Sequence, residues 1–174
     1  MNKLLIAVII SMLSINTFSQ EIKFFNQRPD RNLTLGLGGD GGVISIHHEK
    51  LNIISYNLIL ATELGLGATQ DVSIANPNHY YLSIPFNISA CFGKRMHLFE
   101  AGLGSTIHLR INDPFYEFCI YPILGYRLQP VKSRKVMFKI YASIPYNLNY
   151  QTYINLKDSE VFFIPIGLSI GKSF

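Results

Sequence analysis

The chain of 174 residues contains no tryptophan and only two cysteines, Cys91 and Cys119. Two cysteines allow one disulfide at most, which excludes a scaffold stapled by several bridges. Charged residues make up 15% of the chain and the formal net charge is +4. That charge is too small and too dispersed for a nucleic-acid-binding surface. After the N-terminal segment, no apolar run approaches the roughly 18 residues that would read as a transmembrane helix. The Gly-Leu-Gly and Gly-Gly runs lack the strand-to-helix context of a nucleotide-binding loop. What is abundant is apolar material, 48% of the residues, with Tyr and Phe prominent in it.

The N-terminus has three parts. Lys3 is a short basic region, Leu4 to Leu13 is apolar apart from Ser11, and Ser14 to Gln20 is small and polar. This is the layout of a secretory signal peptide, with Thr17 and Ser19 at the small-residue positions before the cut. The apolar run is about half of the roughly 20 residues a spanning helix needs. The expected organisation is a signal peptide over 1–19, a short periplasmic segment over 20–30 and one domain over 31–174.

That domain is dominated by period-2 alternation, the signature of strands with two different faces. In 80–93, Leu82, Ile84, Phe86, Ile88, Ala90 and Phe92 share one face, against Ser83, Pro85, Asn87, Ser89, Cys91 and Gly93. Segments 98–110, 136–150 and 161–174 repeat the pattern. Eight segments are expected, at about 31–39, 42–50, 53–69, 80–93, 98–110, 117–129, 136–150 and 161–174. The Gly-rich stretch 38–42 leaves open whether 31–50 forms two strands or one kinked strand. Compact basic turns at 93–97 and 129–135 alternate with longer polar loops at 70–79, 111–116 and 151–160. An even strand count with short turns at one end and long loops at the other matches a transmembrane barrel.

The two faces decide between a barrel in lipid and a soluble sandwich. The polar face is rich in glycine, including Gly36, Gly65, Gly67, Gly102, Gly104, Gly125 and Gly167. Small residues suit a narrow bore and weaken a strand that faces solvent. The other face is large, apolar and almost uncharged, as contact with lipid requires. The expected fold class is therefore all-β: an eight-stranded antiparallel up-and-down transmembrane β-barrel after a cleaved signal peptide.

Several charges take the polar register: Glu49, Glu63, Glu100, Glu117, Arg110, Arg127 and Lys139. Buried charges need partners, so Glu49, Glu63, Glu100, Arg127 and Lys139 are expected to form an ion-pair cluster in the lumen. Aromatic girdles are expected from Tyr80, Phe118, Tyr146 and Tyr150 at the outer rim and from Phe92, Phe99, Tyr126 and Phe138 at the inner rim.

The last segment, Phe162 to Phe174, alternates and ends in Phe. It resembles the C-terminal strand of outer-membrane proteins. The resemblance implies an assembly signal carried by Leu168, Ile170, Gly171 and Phe174 and read by the barrel-assembly machinery. Lys172 departs from the apolar residue usual there. Residues 31–174 as a whole are similar to small outer-membrane β-barrel proteins of the OmpA/OmpX size class. That similarity implies a monomer in the outer membrane of a Gram-negative-type cell, in contact with its lipid and lipopolysaccharide. It implies no cofactor and no reaction.

Candidate chemistry is sparse. His47 and His48 are adjacent, so a strand would send them to opposite faces and away from a shared metal; no metal site is expected. Cys91 and Cys119 belong to opposite ends of their strands and are expected to stay apart as free thiols. Polar groups at the outer end are His79, His108, Asp113, Asp158 and Ser159. They show no His-x-Ser spacing of the lipid A deacylase type, and Asp158-Ser159 with His79 bears only a loose similarity to the palmitoyltransferase type. The expectation is a non-enzymatic barrel with an envelope-structural or surface-interaction role. Alternatives are a barrel that binds or passes a small apolar ligand, a lipid A-modifying enzyme, and a soluble β-sandwich or lipocalin-like barrel.

Overall fold

The structure is a computed structural model that describes residues 28–55, 57–70, 79–111, 116–132, 135–144, 146–147 and 164–174. The signal-peptide region, the three polar loops 71–78, 112–115 and 148–163, and Tyr150 lie outside the described residues. Among the described residues no helix is long and apolar enough to cross a membrane.

The strands are β1 (Arg31–Gly39), β2 (Ile44–Ser55), β3 (Leu58–Gln70), β4 (Tyr80–Lys94), β5 (His97–Arg110), β6 (Tyr116–Leu128), β7 (Val136–Ser143), β8 (Tyr146–Asn147) and β9 (Ile164–Ser173). All pairings are antiparallel, and β7 and β8 pair successively with β6 as two parts of one stave. Neighbours in sequence are neighbours in space, and β9 returns to pair with β1. The result is a closed eight-stranded barrel with no free edge. Closure explains how strands this apolar avoid edge-to-edge association.

Residues 31–50 form two strands, joined by a turn over residues 40–43. The expected break near residue 52 is corrected: β2 runs on to Ser55, and β3 begins at Leu58. The alternation continues through Leu51 on the inner side, and Ile53 lies opposite Ile59 in the β2–β3 register. Burying Leu51 and Ile59 favours extending the hairpin over turning at Asn52.

Burial alternates along the strands, with breaks near several strand ends. In β1 the pattern from Arg31 is exposed, buried, exposed, buried, and β7 repeats it from Val136. Away from the rim, the exposed set is largely apolar, including Leu33, Leu35 and Leu37 on β1, Leu64 and Leu66 on β3, Leu103 on β5 and Ile166, Leu168 and Ile170 on β9. The buried set contains most of the strand charges and polar groups, among them Glu49, Glu63, Glu100, Arg127 and Lys139. The barrel is thus polar inside and apolar outside, the inverse of a water-soluble sheet protein.

Candidate functional site

The bore is filled in layers, and each layer is set by strand parity. Near the end that carries Arg31 and the C-terminus, the Arg127 guanidinium sits between two carboxylates. Its Nη2 donates to Glu49 Oε1 at 2.6 Å and to Glu100 Oε2 at 2.7 Å, and its Nε donates to Glu100 Oε2 at 2.9 Å. Asn32 donates to the other Glu49 oxygen at 2.5 Å, and Ser89 donates to the other Glu100 oxygen at 2.6 Å. Asn32, Gln129 and Ser173 bond to one another below this group. They tie β1, β9 and the segment after β6 across the bore. Beside them, Leu51, Ile59, Ala61, Cys91 and Leu98 form a buried apolar cluster.

The middle layer centres on Glu63. Lys139 Nζ lies 2.6 Å from Glu63 Oε2, and His47 Nδ1 lies 2.8 Å from Glu63 Oε1. Ser45 Oγ is 2.6 Å from His47 Nε2. Asn87 donates to Glu63 Oε1 at 3.3 Å and also to Asp40. Tyr141 donates its hydroxyl to the other Asp40 oxygen, and Thr106 donates to the Asp40 carbonyl at 3.0 Å. Tyr121 closes the layer through Thr106 and Asn87.

Asp40 belongs to the β1–β2 turn, yet it is fully buried. The turn folds inwards as a plug, and glycine makes this possible. Gly38, Gly39 and Gly42 have φ of 68°, 73° and 88°, backbone that disfavours any other residue. Glycines also leave room for the large inner side chains. A Cβ on Gly167 or Gly39 would collide with the Tyr141 ring, and one on Gly104 would collide with Tyr121.

Towards the far end, Ser83 Oγ is 2.8 Å from His108 Nδ1, with Cys119 Sγ 3.9 Å from His108 Nε2. Arg110 donates to Tyr81 at 3.2 Å and lies over its ring. Cys91 and Cys119 are both buried free thiols.

The expected lumen residues are therefore all in the bore, in two groups: Arg127 with Glu49 and Glu100, and Lys139 with Glu63. Sequence reasoning missed Asp40 and His47. Parity would have placed His47 inside, because it shares the register of Glu49, while His48 is exposed. Asp40 lies in a turn, where parity says nothing. Of the girdle residues, Phe92, Phe99 and Tyr126 form a row across β4, β5 and β6, in direct register. Phe99 and Tyr126 meet edge to face at 5.7 Å. Tyr80 is exposed, and Phe118 and Phe138 are partly exposed; the Tyr146 side chain lies outside the described residues. In the C-terminal group, Leu168, Ile170 and Phe174 are exposed, whereas Gly171 lies against Thr34 of β1.

Asp40, His47 and Glu63 place three ligand-type atoms within 4.8 Å of one another. Both Asp40 oxygens already accept from Asn87 and Tyr141, and Lys139 supplies the cation at Glu63. The donor set fits a salt-bridge network better than a metal. Ser45, His47 and Glu63 also stand in the order of a nucleophile, a base and an orienting acid. Ser45 is buried at 2% exposure with Gly36 and Gly41 packed on its hydroxyl. The His47–Glu63 contact links β2 to β3 within the bore. Comparison with known protein families, with curated proteins and with solved structures finds no match to this chain.

Proposed function

We propose that this chain is an outer-membrane β-barrel with a closed, side-chain-filled bore and a non-enzymatic role in envelope structure or surface contact. The observation that carries this is the inversion of the barrel. Large apolar side chains such as Phe99 at 69%, Leu103 at 65% and Leu124 at 66% exposure cover the outside, while charges pair within. A soluble monomer rarely exposes a contiguous apolar patch beyond a few hundred Å², and here the apolar surface encircles the molecule. Lipid is the solvent in which such a surface is stable.

On this proposal the signal peptide directs export, and the strand ending at Phe174 is read by the barrel-assembly machinery. The loops around 70–79, 111–116 and 151–160 face outwards, where they meet lipopolysaccharide and any surface partner. The filled bore argues against a general porin, since an eight-stranded interior is just wide enough for its own side chains. Heat-modifiability on outer-membrane fractions tests the class and address together. A folded barrel stays intact in SDS without boiling and migrates differently after it. Protein found only in the soluble periplasm, with no shift, would overturn the proposal.

One observation favours a second role on the same scaffold. A groove of about 600 Å³ opens on the outer face, floored by Ala90, Ala101, Gly102 and Ser105 and walled by Phe86 and Phe118. It is apolar and open on the lipid side, as a site for a small apolar ligand or an acyl chain would need to be. Filling it by Ala101→Phe should abolish photolabelling by a diazirine fatty acid; unchanged labelling would exclude this role.

A further inference from the structure

Among the described residues, the exposed Lys and Arg side chains gather at one rim of the barrel. Arg31, Lys50, Lys94, Arg95, Lys132, Lys135 and Lys172 are all exposed at the barrel end that carries Arg31 and Phe174, with Lys135 next to Lys172 through the bond from the Ser173 amide to the Lys135 carbonyl. The acidic groups of the strands point into the bore, and Asp30 is the exposed acid described beside these cations.

Three of the cations are neighbours on adjacent strands. Arg31 of β1 lies directly opposite Lys50 of β2 in the ladder, with both side chains outward. On the other side of β1, Lys172 of β9 lies opposite Leu33, one outward step above Arg31. Like charges placed directly across a sheet are destabilising. The compensation described within the chain is slight. Asp30 approaches Arg31 at 4.0 Å with both side chains more than half exposed, a geometry that contributes little. The Phe174 amide bonds the Arg31 carbonyl, which holds β9 beside β1 at this rim. Lys172 Nζ rests over the Phe174 ring at 5.8 Å.

Just above this trio the outer surface becomes apolar, with Leu33, Leu35 and Leu37 stacked along β1 and Ile166, Leu168 and Ile170 along β9. The cations therefore stand where acyl chains would end and headgroups begin. Arginine presents a planar fork matched to phosphate oxygens, and lysine adds point charge. From this geometry we propose that Arg31, Lys50 and Lys172 bind the phosphate of an anionic phospholipid headgroup in the inner leaflet. The proposal rests on the membrane reading and on the orientation given above.

The test uses the full barrel in nanodiscs of equal phosphatidylcholine and phosphatidylglycerol, with retained lipids counted by native mass spectrometry. Folding is first checked by heat-modifiability in phosphatidylcholine alone. The wild type should retain phosphatidylglycerol over phosphatidylcholine by at least about fivefold, the ratio that one surface cation gives near an anionic leaflet. Arg31→Gln/Lys50→Gln/Lys172→Gln should lose that preference. Lys94→Gln/Arg95→Gln/Lys132→Gln removes the same number of charges elsewhere on the rim and should keep it. Equal retention of both lipids by a folded wild type overturns the site and leaves the membrane reading intact. So does equal loss in both triple variants, which would mean diffuse charge. Displacement of phosphatidylglycerol by lipid A at equal concentration also overturns it, because the phosphate would then come from the other leaflet. Failure to fold in any bilayer overturns the membrane reading itself, and this site with it.

Discussion

Arg127 and Glu49 are 78 residues apart in the chain, and their side chains meet at 2.6 Å inside the bore. Glu100 completes the group from a third strand. Each carboxylate also accepts from a neutral donor, so the charges are paired and hydrogen-bonded, the condition under which burial is tolerated.

Removing the cation should therefore harm more than removing the whole group. Arg127→Met leaves Glu49 and Glu100 facing each other in the bore and should lower stability by about 3–5 kcal/mol. Adding Glu49→Gln and Glu100→Gln to Arg127→Met should recover part of that loss. Urea unfolding of the barrel in lipid vesicles measures both. A triple variant less stable than the single one would contradict this account.

The plug makes a separate prediction. Asp40→Ala strips the acceptor from the buried Tyr141 hydroxyl and leaves the buried Asn87 amide only its longer bond to Glu63. The expected cost is about 1–3 kcal/mol for each buried group left unsatisfied. With its tether gone, the turn over residues 40–43 should leave the bore. Liposome swelling should then detect passage of small solutes that the wild type excludes.

Gly167 and Tyr141 should behave as a coupled pair. A Cβ at Gly167 would collide with the Tyr141 ring, so Gly167→Ala should cost about 1–3 kcal/mol by overpacking. In a Tyr141→Ala background the same change should cost much less. Additive effects in a double-mutant cycle would show that the two do not share the space.

The outer face should respond to charge by depth. Leu103→Arg lies mid-strand and should destabilise by about 2–4 kcal/mol, whereas Leu109→Arg near the end of β5 should cost about 0–1 kcal/mol. Equal small costs at both positions would mean that water, not lipid, covers this face.

Much of the barrel was legible because a strand has a strict period of two. Once Leu82 to Phe92 is read as one face, Ser83, Asn87 and Ser89 must take the other, and the same parity puts Glu49, Glu100, Arg127 and Lys139 in the bore. Which of them touch depends on the stagger between strands, and local sequence does not carry it. Long-range stagger is why Lys139 meets Glu63 and Arg127 takes both Glu49 and Glu100. Asp40 was hidden for a different reason: a turn has no parity, and only the flanking glycines hint that it can fold inwards. Parity also places Tyr141 on the inner face with Lys139 and Ser143, but the room for its ring comes from Gly167, and that for Tyr121 from Gly104, on other strands. The β2–β3 turn lies beyond the gap expected between 42–50 and 53–69, because burying Leu51 and Ile59 favours the longer hairpin.

The absence of tryptophan permits the most direct test of the central claim, which is that the apolar face meets lipid. A single tryptophan is placed at Leu103, on the outer face, or at Tyr121, in the bore, and each variant is folded into vesicles containing brominated lipid. Leu103→Trp should emit at short wavelength and be strongly quenched, and Tyr121→Trp should be quenched far less. Unquenched, water-like emission from Leu103→Trp in a folded barrel would contradict the account and place the protein outside the bilayer.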